Sequence, residues 1–161
     1  MQQLSPPTTQ PKSRVNSLTR IQFTVEGAPV SQPRPRFFRG SDGVVRGRTK
    51  SKHPIKAFRQ HVAMMAKMAT LGDDDWPSLG AVAVSILFRF RGDAESWHVS
   101  DPDIDNLVKG ALDAVKSILW KDDRQVSMLR VAKIVSAAPP SMAFEVRKLF
   151  RSDFPEAVNL V

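Results

Sequence analysis

Residues 101–123 read DPDIDNLVKGALDAVKSILWKDD, and this stretch constrains the chain more than any other. Leu107, Val108, Ala111, Leu112, Val115, Ile118 and Leu119 recur at steps of three and four, which predicts an amphipathic helix from roughly Ile104 to Leu119. Pro102 biases Asp101 toward extended backbone, so the helix starts after it. Acidic residues flank the pattern: Asp101, Asp103 and Asp105 at its start, Asp122 and Asp123 beyond its end. A helix can bring two such clusters together, and carboxylate oxygens suit a hard divalent cation such as Mg2+.

The patterns on either side place this helix in a mixed domain. Residues 1–18 are rich in Pro, Ser, Thr and Gln without periodicity and read as a disordered tail. Ile21, Phe23 and Val25 alternate with polar residues as a first strand; Pro33 and Pro35 break regular structure after it, and Ser41-Asp42-Gly43 is a turn signal, with a short strand from Val44-Val45. Ile55, Phe58, Val62, Met65 and Ala69 predict a helix opened by Pro54 and closed at Gly72 and Asp73–Asp75. Residues 81–90 alternate as a strand, 91–102 form a polar loop, 126–135 form another strand, and 142–146 a last one near a sheet edge. This is an α+β domain over 19–152, a small mixed sheet with two helices packed on it, followed by a short tail, 153–161.

Charge points to the partner. Residues 1–59 hold 12 Lys/Arg against 2 Asp/Glu, whereas the remainder holds 12 against 14. A basic half beside a slightly acidic one suits a polyanion. Arg34, Arg36, Arg39, Arg46, Arg48, Lys50 and Lys52 fall within 19 residues, with Phe37 and Phe38 among them. Such arginines contact phosphates; the aromatics either stack on unpaired bases or pack in the core or at an interface. The absence of cysteine excludes a disulfide framework, a thiolate zinc site and a cysteine nucleophile, and the three histidines share no ligand spacing. No apolar run reaches a membrane span and the N-terminus lacks an apolar signal region, so a cytoplasmic protein is expected.

Within the acidic stretch, Asp105 also suits a helix N-cap or first turn, but that role leaves Asp103 and the second cluster unexplained. Lys109 lies one turn after Asp105 on the same face, as an ion-pair partner or a phosphate contact. Asp122 and Asp123 oppose the negative end of the helix dipole unless a turn or a cation compensates. The D-x-D-x-D start mimics a calcium loop, but positions six and twelve are Asn106 and Leu112 rather than Gly and Glu, which excludes it. Asp113 is expected at the surface or behind the site. Trp97, in the loop before the site, is expected to pack or else to touch substrate, and Trp120 to anchor the helix end against the sheet.

The run Asp103-Ile-Asp105-Asn106-Leu-Val-Lys109, then Leu112-Asp113-Ala114, then Trp120-Lys-Asp122-Asp123-Arg-Gln125-Val126 resembles the RusA-type Holliday junction resolvases. The segment from Pro29 to Phe37 resembles that family's basic loop, so the likeness spans about residues 20–150. The resemblance implies essential aspartates at Asp103, Asp105 and Asp123, an essential lysine at Lys109, and assistance from Asp122. It further implies Mg2+ or Mn2+ dependence and a homodimer that cuts two strands of a four-way junction symmetrically. Two other readings stay open: a junction-binding protein of the same fold that does not cut, and a less selective nuclease of flaps or other branched DNA.

Overall fold

The structure is a computed structural model that describes residues 19–33, 36–48 and 53–154, with no side chains described at 36–38, 47 and 48. A five-stranded mixed sheet carries two helices on one face. Its strands are β1 (Arg20–Glu26), β4 (Val82–Arg91), β5 (Ser96–Trp97), β6 (Val126–Ser136) and β7 (Ser141–Lys148), in the order β1-β7-β4-β6-β5. A separate hairpin joins β2 (Arg36–Arg39) to β3 (Val45–Arg48). The helices are α1 (Ile55–Ala69) and α2 (Ile104–Val115). The α+β architecture read from the sequence stands. Among the described residues no helix is long and apolar enough to cross a membrane.

Period-two patterning sorts the two sheet faces. Ile21, Phe23 and Val25 of β1, Val82, Val84, Ile86 and Phe88 of β4, and Met142, Phe144 and Val146 of β7 are buried. They meet Phe58, Val62 and Ala66 of α1 and Leu107, Val108, Ala111, Ala114 and Val115 of α2 in one core. Burying a side chain such as Leu107 contributes roughly 1.5–3 kcal/mol, so this face secures α2 to the sheet. Gly110 allows close packing of the two helices: a Cβ there would lie 3.1 Å from Ile55 Cδ1 and 3.4 Å from the Val30 carbonyl oxygen.

β4, α2 and β6 form a strand–helix–strand unit, since β4 and β6 are parallel. Parallel neighbours need such a crossover, which fixes α2 across the sheet beside β6. β6 is nearly an edge strand. Among the described residues only β5 pairs with its outer side, through Val135 and Ile134.

Four expectations are corrected. The last strand, β7, is not near an edge but lies between β1 and β4, paired along both sides. The stretch 91–102 is not wholly loop, because Ser96 and Trp97 pair with β6. The basic segment before the Ser41–Gly43 turn forms a strand, β2, despite the prolines preceding it. Finally, α2 ends at Val115 rather than Leu119: Lys116 turns extended and Ser117 takes a φ of 68°. Ile118 and Leu119 continue the apolar spacing, but Leu119 and Trp120 are buried from a returning loop instead. The Ser117 N–H donates to the Trp120 carbonyl at 2.7 Å and closes that loop. The expected 1–18 tail lies outside the described residues, as do residues 155–161 of the C-terminal tail.

Candidate active site

The sequence motif is legible in the structure as a set of local devices around α2. Asp103 occupies the helix N-cap with extended backbone, and its Oδ2 accepts from Asn106 Nδ2 at 3.4 Å. Asp105 follows in the first turn, where the positive end of the helix dipole favours a carboxylate. Lys109 and Asp113 succeed it at one-turn intervals, with 3.9 Å between Lys109 Nζ and Asp113 Oδ2. Asp113 also forms an ion pair with Arg59 of α1, whose guanidinium donates to Gln32 Oε1 at 2.7 Å as well.

Beyond α2, the Trp120–Gln125 segment is a built turn. Gln125 Oε1 accepts the backbone N–H groups of Lys121 and Asp122, each at 2.9 Å. Its Nε2 donates to the carbonyls of Ser78 and Gly80, each at 2.9 Å, which ties the turn to the loop before β4. Asp122 caps the short 3-10 turn Asp123–Gln125 by accepting the Arg124 N–H at 2.9 Å, and it also binds the Arg124 guanidinium. The Arg124 side chain, then its backbone N–H, holds the Asp122 carboxyl down at about 2. Both Asp122 oxygens are thus engaged within the turn.

Asp123 is held differently. The fully buried Trp120 donates its Nε1–H to Asp123 Oδ1 at 3.1 Å, and Lys116 Nζ reaches Oδ2 at 3.1 Å. The indole bond is the main cause that lowers the Asp123 pKa; partial burial opposes it, and Lys116 lowers it further. Trp120 anchors the helix end as expected, stacking near Phe144 with ring centroids 6.5 Å apart, but it also orients this carboxylate. The sequence reading missed that second role.

A cleft of about 470 Å³ runs along α2 beside β6. Asp105, Lys109, Asp113 and Asp123 line it over an apolar floor that includes Val108, Leu112, Leu129 and Val131. Of the sequence-predicted residues, Asp105, Lys109 and Asp123 therefore share one cleft. Asp103 sits at its helix-start end, outside the lining, and Asp122 turns into its own cap. Asp113, expected at the surface or behind the site, lies in the cleft lining, and Arg59 was not foreseen. The signal for Asp113 was its eight-residue spacing from Asp105, with Lys109 midway; Arg59 lies on another helix and has no local signal.

Asp105 lies in the first turn of α2, and Asp123 in the turn beyond its end. Among the described residues no three Asp, Glu or His side chains gather closely enough to hold a metal ion within one chain.

The Gln32 N–H donates to the Asn106 carbonyl at 2.9 Å, which pins the segment after β1 onto the first turn of α2. Arg39 lies at the end of β2, and Arg46 on β3 is paired with Asp42 across the turn. Arg34, Lys50 and Lys52 lie outside the described residues, as do the side chains of Arg36, Arg48, Phe37 and Phe38.

Carboxylates and a lysine thus line one cleft along α2. The family model described as Endodeoxyribonuclease RusA matches residues 26–147, which span the hairpin, α2 and the Trp120–Gln125 turn, and the chain belongs to that family. The "Uncharacterized protein YqaN" of Bacillus subtilis (strain 168) is 32% identical over 137 residues, covering 74% of this chain and 90% of its own length.

Proposed function

We propose that the chain is a Mg2+-dependent endodeoxyribonuclease, with Mn2+ able to substitute, that resolves four-way DNA junctions as a homodimer by paired phosphodiester hydrolysis. The observation that carries this reading is the alignment of Asp105, Lys109 and Asp123 along one cleft inside the family-matched region.

The donor set suits the ion. The titratable groups that line the cleft are three carboxylates and one ammonium, with no imidazole. Mg2+ is commonly held by one or two carboxylates, its other positions filled by water and substrate phosphate. Asp103, Asp105 and Asp123 would hold it, with Asp122 setting the turn that carries Asp123. When bound, the ion polarises the phosphate and activates water. Lys109 offsets the charge that develops on the phosphate oxygens, and its ion-pair distance to Asp113 leaves it free to turn toward DNA. Trp120 and Lys116 keep Asp123 ionised and aimed.

A dimer would complete the acidic set, since among the described residues no three Asp, Glu or His side chains gather around one ion. The outer edge of β6 is open for residues 126–132 among the described residues, with Met128 and Leu129 exposed beside it. Open apolar edges invite pairing with another chain. Two copies joined there by a two-fold axis run antiparallel, so the start of α2 in one copy faces the end of α2 in the other. The partner subunit's Asp123 then complements Asp103 and Asp105.

The test is cleavage of a labelled mobile four-way junction with and without Mg2+, alongside a linear duplex of the same sequence. Paired, metal-dependent nicks near the crossover and an intact duplex are expected. Tight binding without cutting would favour a binding protein of the same fold, and equal cutting of flaps and junctions would favour a less selective nuclease.

A further inference from the structure

On the other face of the sheet lies a second cleft of about 450 Å³, at the β5 edge. Strand register builds its wall. Arg89 of β4 stands opposite Ile134 of β6, and Ile134 stands opposite Trp97 of β5. Cross-strand neighbours share a face, so these three form a row turned away from the helices, the side opposite buried Phe88. Ser136, two residues along from Ile134, and Glu95 complete the polar lining.

Two observations set this cleft apart. Trp97 is 72% exposed, whereas Trp76 and Trp120 are buried. The packing role expected from the sequence is therefore corrected: a large ring is held open to solvent by a backbone pinned to β6. In addition, Ser136 is only 4% exposed, and its hydroxyl has no hydrogen-bond partner. Buried polar groups are normally satisfied, so this hydroxyl, which solvent does not reach, is an exception behind the cleft wall. The Arg89 guanidinium, by contrast, donates to Ser141 Oγ at 3.3 Å, so it is fixed in place.

From this we infer that the cleft takes a single unpaired nucleotide of the DNA substrate, its base stacked on Trp97. This rests on the reading of the chain as a branched-DNA nuclease. The ring offers a face to any base. Glu95 accepts from exocyclic amino groups, and Arg89 meets a phosphate or base acceptor. The volume falls within the range of small-molecule sites. Location links the cleft to the chemistry. Trp97 precedes Asp103 by six residues, and Lys133 Nζ ties that segment to β6 by donating to the Ser100 and Pro102 carbonyls at 2.9 and 2.8 Å. A base seated on Trp97 thus sets where the strand meets the start of α2. Bases within a duplex are already stacked and paired, and removing one is costly, so the cleft selects branched over linear DNA.

Intrinsic fluorescence isolates the event, because Trp97 is the exposed one of the chain's three tryptophans. In metal-free buffer, a four-way junction is expected to quench Trp97 and shield it from acrylamide, and a linear duplex to do neither. Trp97→Ala should bind the junction about tenfold more weakly, and Trp97→Phe should recover most of that loss. Junction binding with no change in Trp97 emission, and with full affinity in Trp97→Ala, would overturn the nucleotide cleft alone. Failure of the wild-type chain to bind any DNA would overturn this inference together with the nuclease reading beneath it.

Discussion

Mixing two inactive variants probes how the acidic groups are assembled. Asp105→Asn and Asp123→Asn are each expected to be dead as pure dimers, yet to recover nicking when co-assembled. The expectation comes from the placement of the two carboxylates, one in the first turn of α2 and the other in the turn beyond its end, and from the fact that among the described residues no three Asp, Glu or His side chains gather around one ion. Oxygens sharing one Mg2+ lie within about 4 Å of each other, given metal–oxygen distances near 2.0–2.1 Å. A site shared between protomers would bring such a set together. Neither change should unfold the chain. In Asp123→Asn the introduced amide keeps a carbonyl to accept the Trp120 Nε1–H, and the lost Lys116 pair, with both side chains nearly half exposed, is worth about 0.2–1 kcal/mol. Random one-to-one assembly makes about half of the dimers mixed, each with one intact site and one doubly altered site. About a quarter of wild-type sites then survive, so nicking should return at about a quarter of the wild-type rate while paired cuts stay rare. Co-expressed, differently tagged chains purified on both tags are all mixed dimers with one intact site of two, so on a strand-labelled junction under denaturing conditions they should nick at about half the wild-type rate. A purified mixed dimer as inactive as either parent would refute the shared site.

Other outcomes follow from the same geometry. Asp105→Asn should abolish cleavage yet leave junction affinity nearly unchanged in a gel-shift assay, because the residue serves chemistry rather than grip; equal cleavage would sink its assignment. Trp120→Phe should cost about 1–3 kcal/mol in chemical denaturation, through the smaller ring and the lost bond. It should also move the Asp123 carboxyl titration upward when followed by carbon NMR, since the indole bond is the chief cause of its lowered pKa. The sign is that of a depressed carboxylate: the Asp123 contribution to stability is complete above the ordinary carboxylate range and fades as pH falls through its folded value, and the variant narrows that contribution. Arg34→Ala and Arg36→Ala should each weaken binding across sequences and lower the salt slope by about one, read from affinities at several salt concentrations; an unchanged slope would place this loop away from DNA.

Much of the molecule was legible one residue at a time, because the signals are local. Alternation in 21–25, 82–88 and 142–146 marks which side chains leave water, and that alone calls for strands packed under helices. The spacing of Leu107, Val108, Ala111 and Val115 oriented α2 so that Asp105 and Lys109 lie on its outer side. Charge along the chain separated a basic segment from an acidic stretch. None of these depends on a distant partner.

What only the tertiary structure decided involves groups far apart in sequence, or backbone choices without a marked residue. Ser117 ends α2 with a positive φ that neither glycine nor proline announces, and the buried Trp120 and Leu119 provide the reason to accept it. β7 enters between β1 and β4 because pairing on both sides satisfies its backbone, a gain that composition does not reveal. Asp122 and Asp123 are adjacent, yet one caps a turn and the other rests on Trp120 and Lys116, a difference set by where the returning loop meets the core. The row Arg89–Ile134–Trp97 exists only once three strands fall into register, and that register turned a tryptophan expected to pack into one that faces solvent.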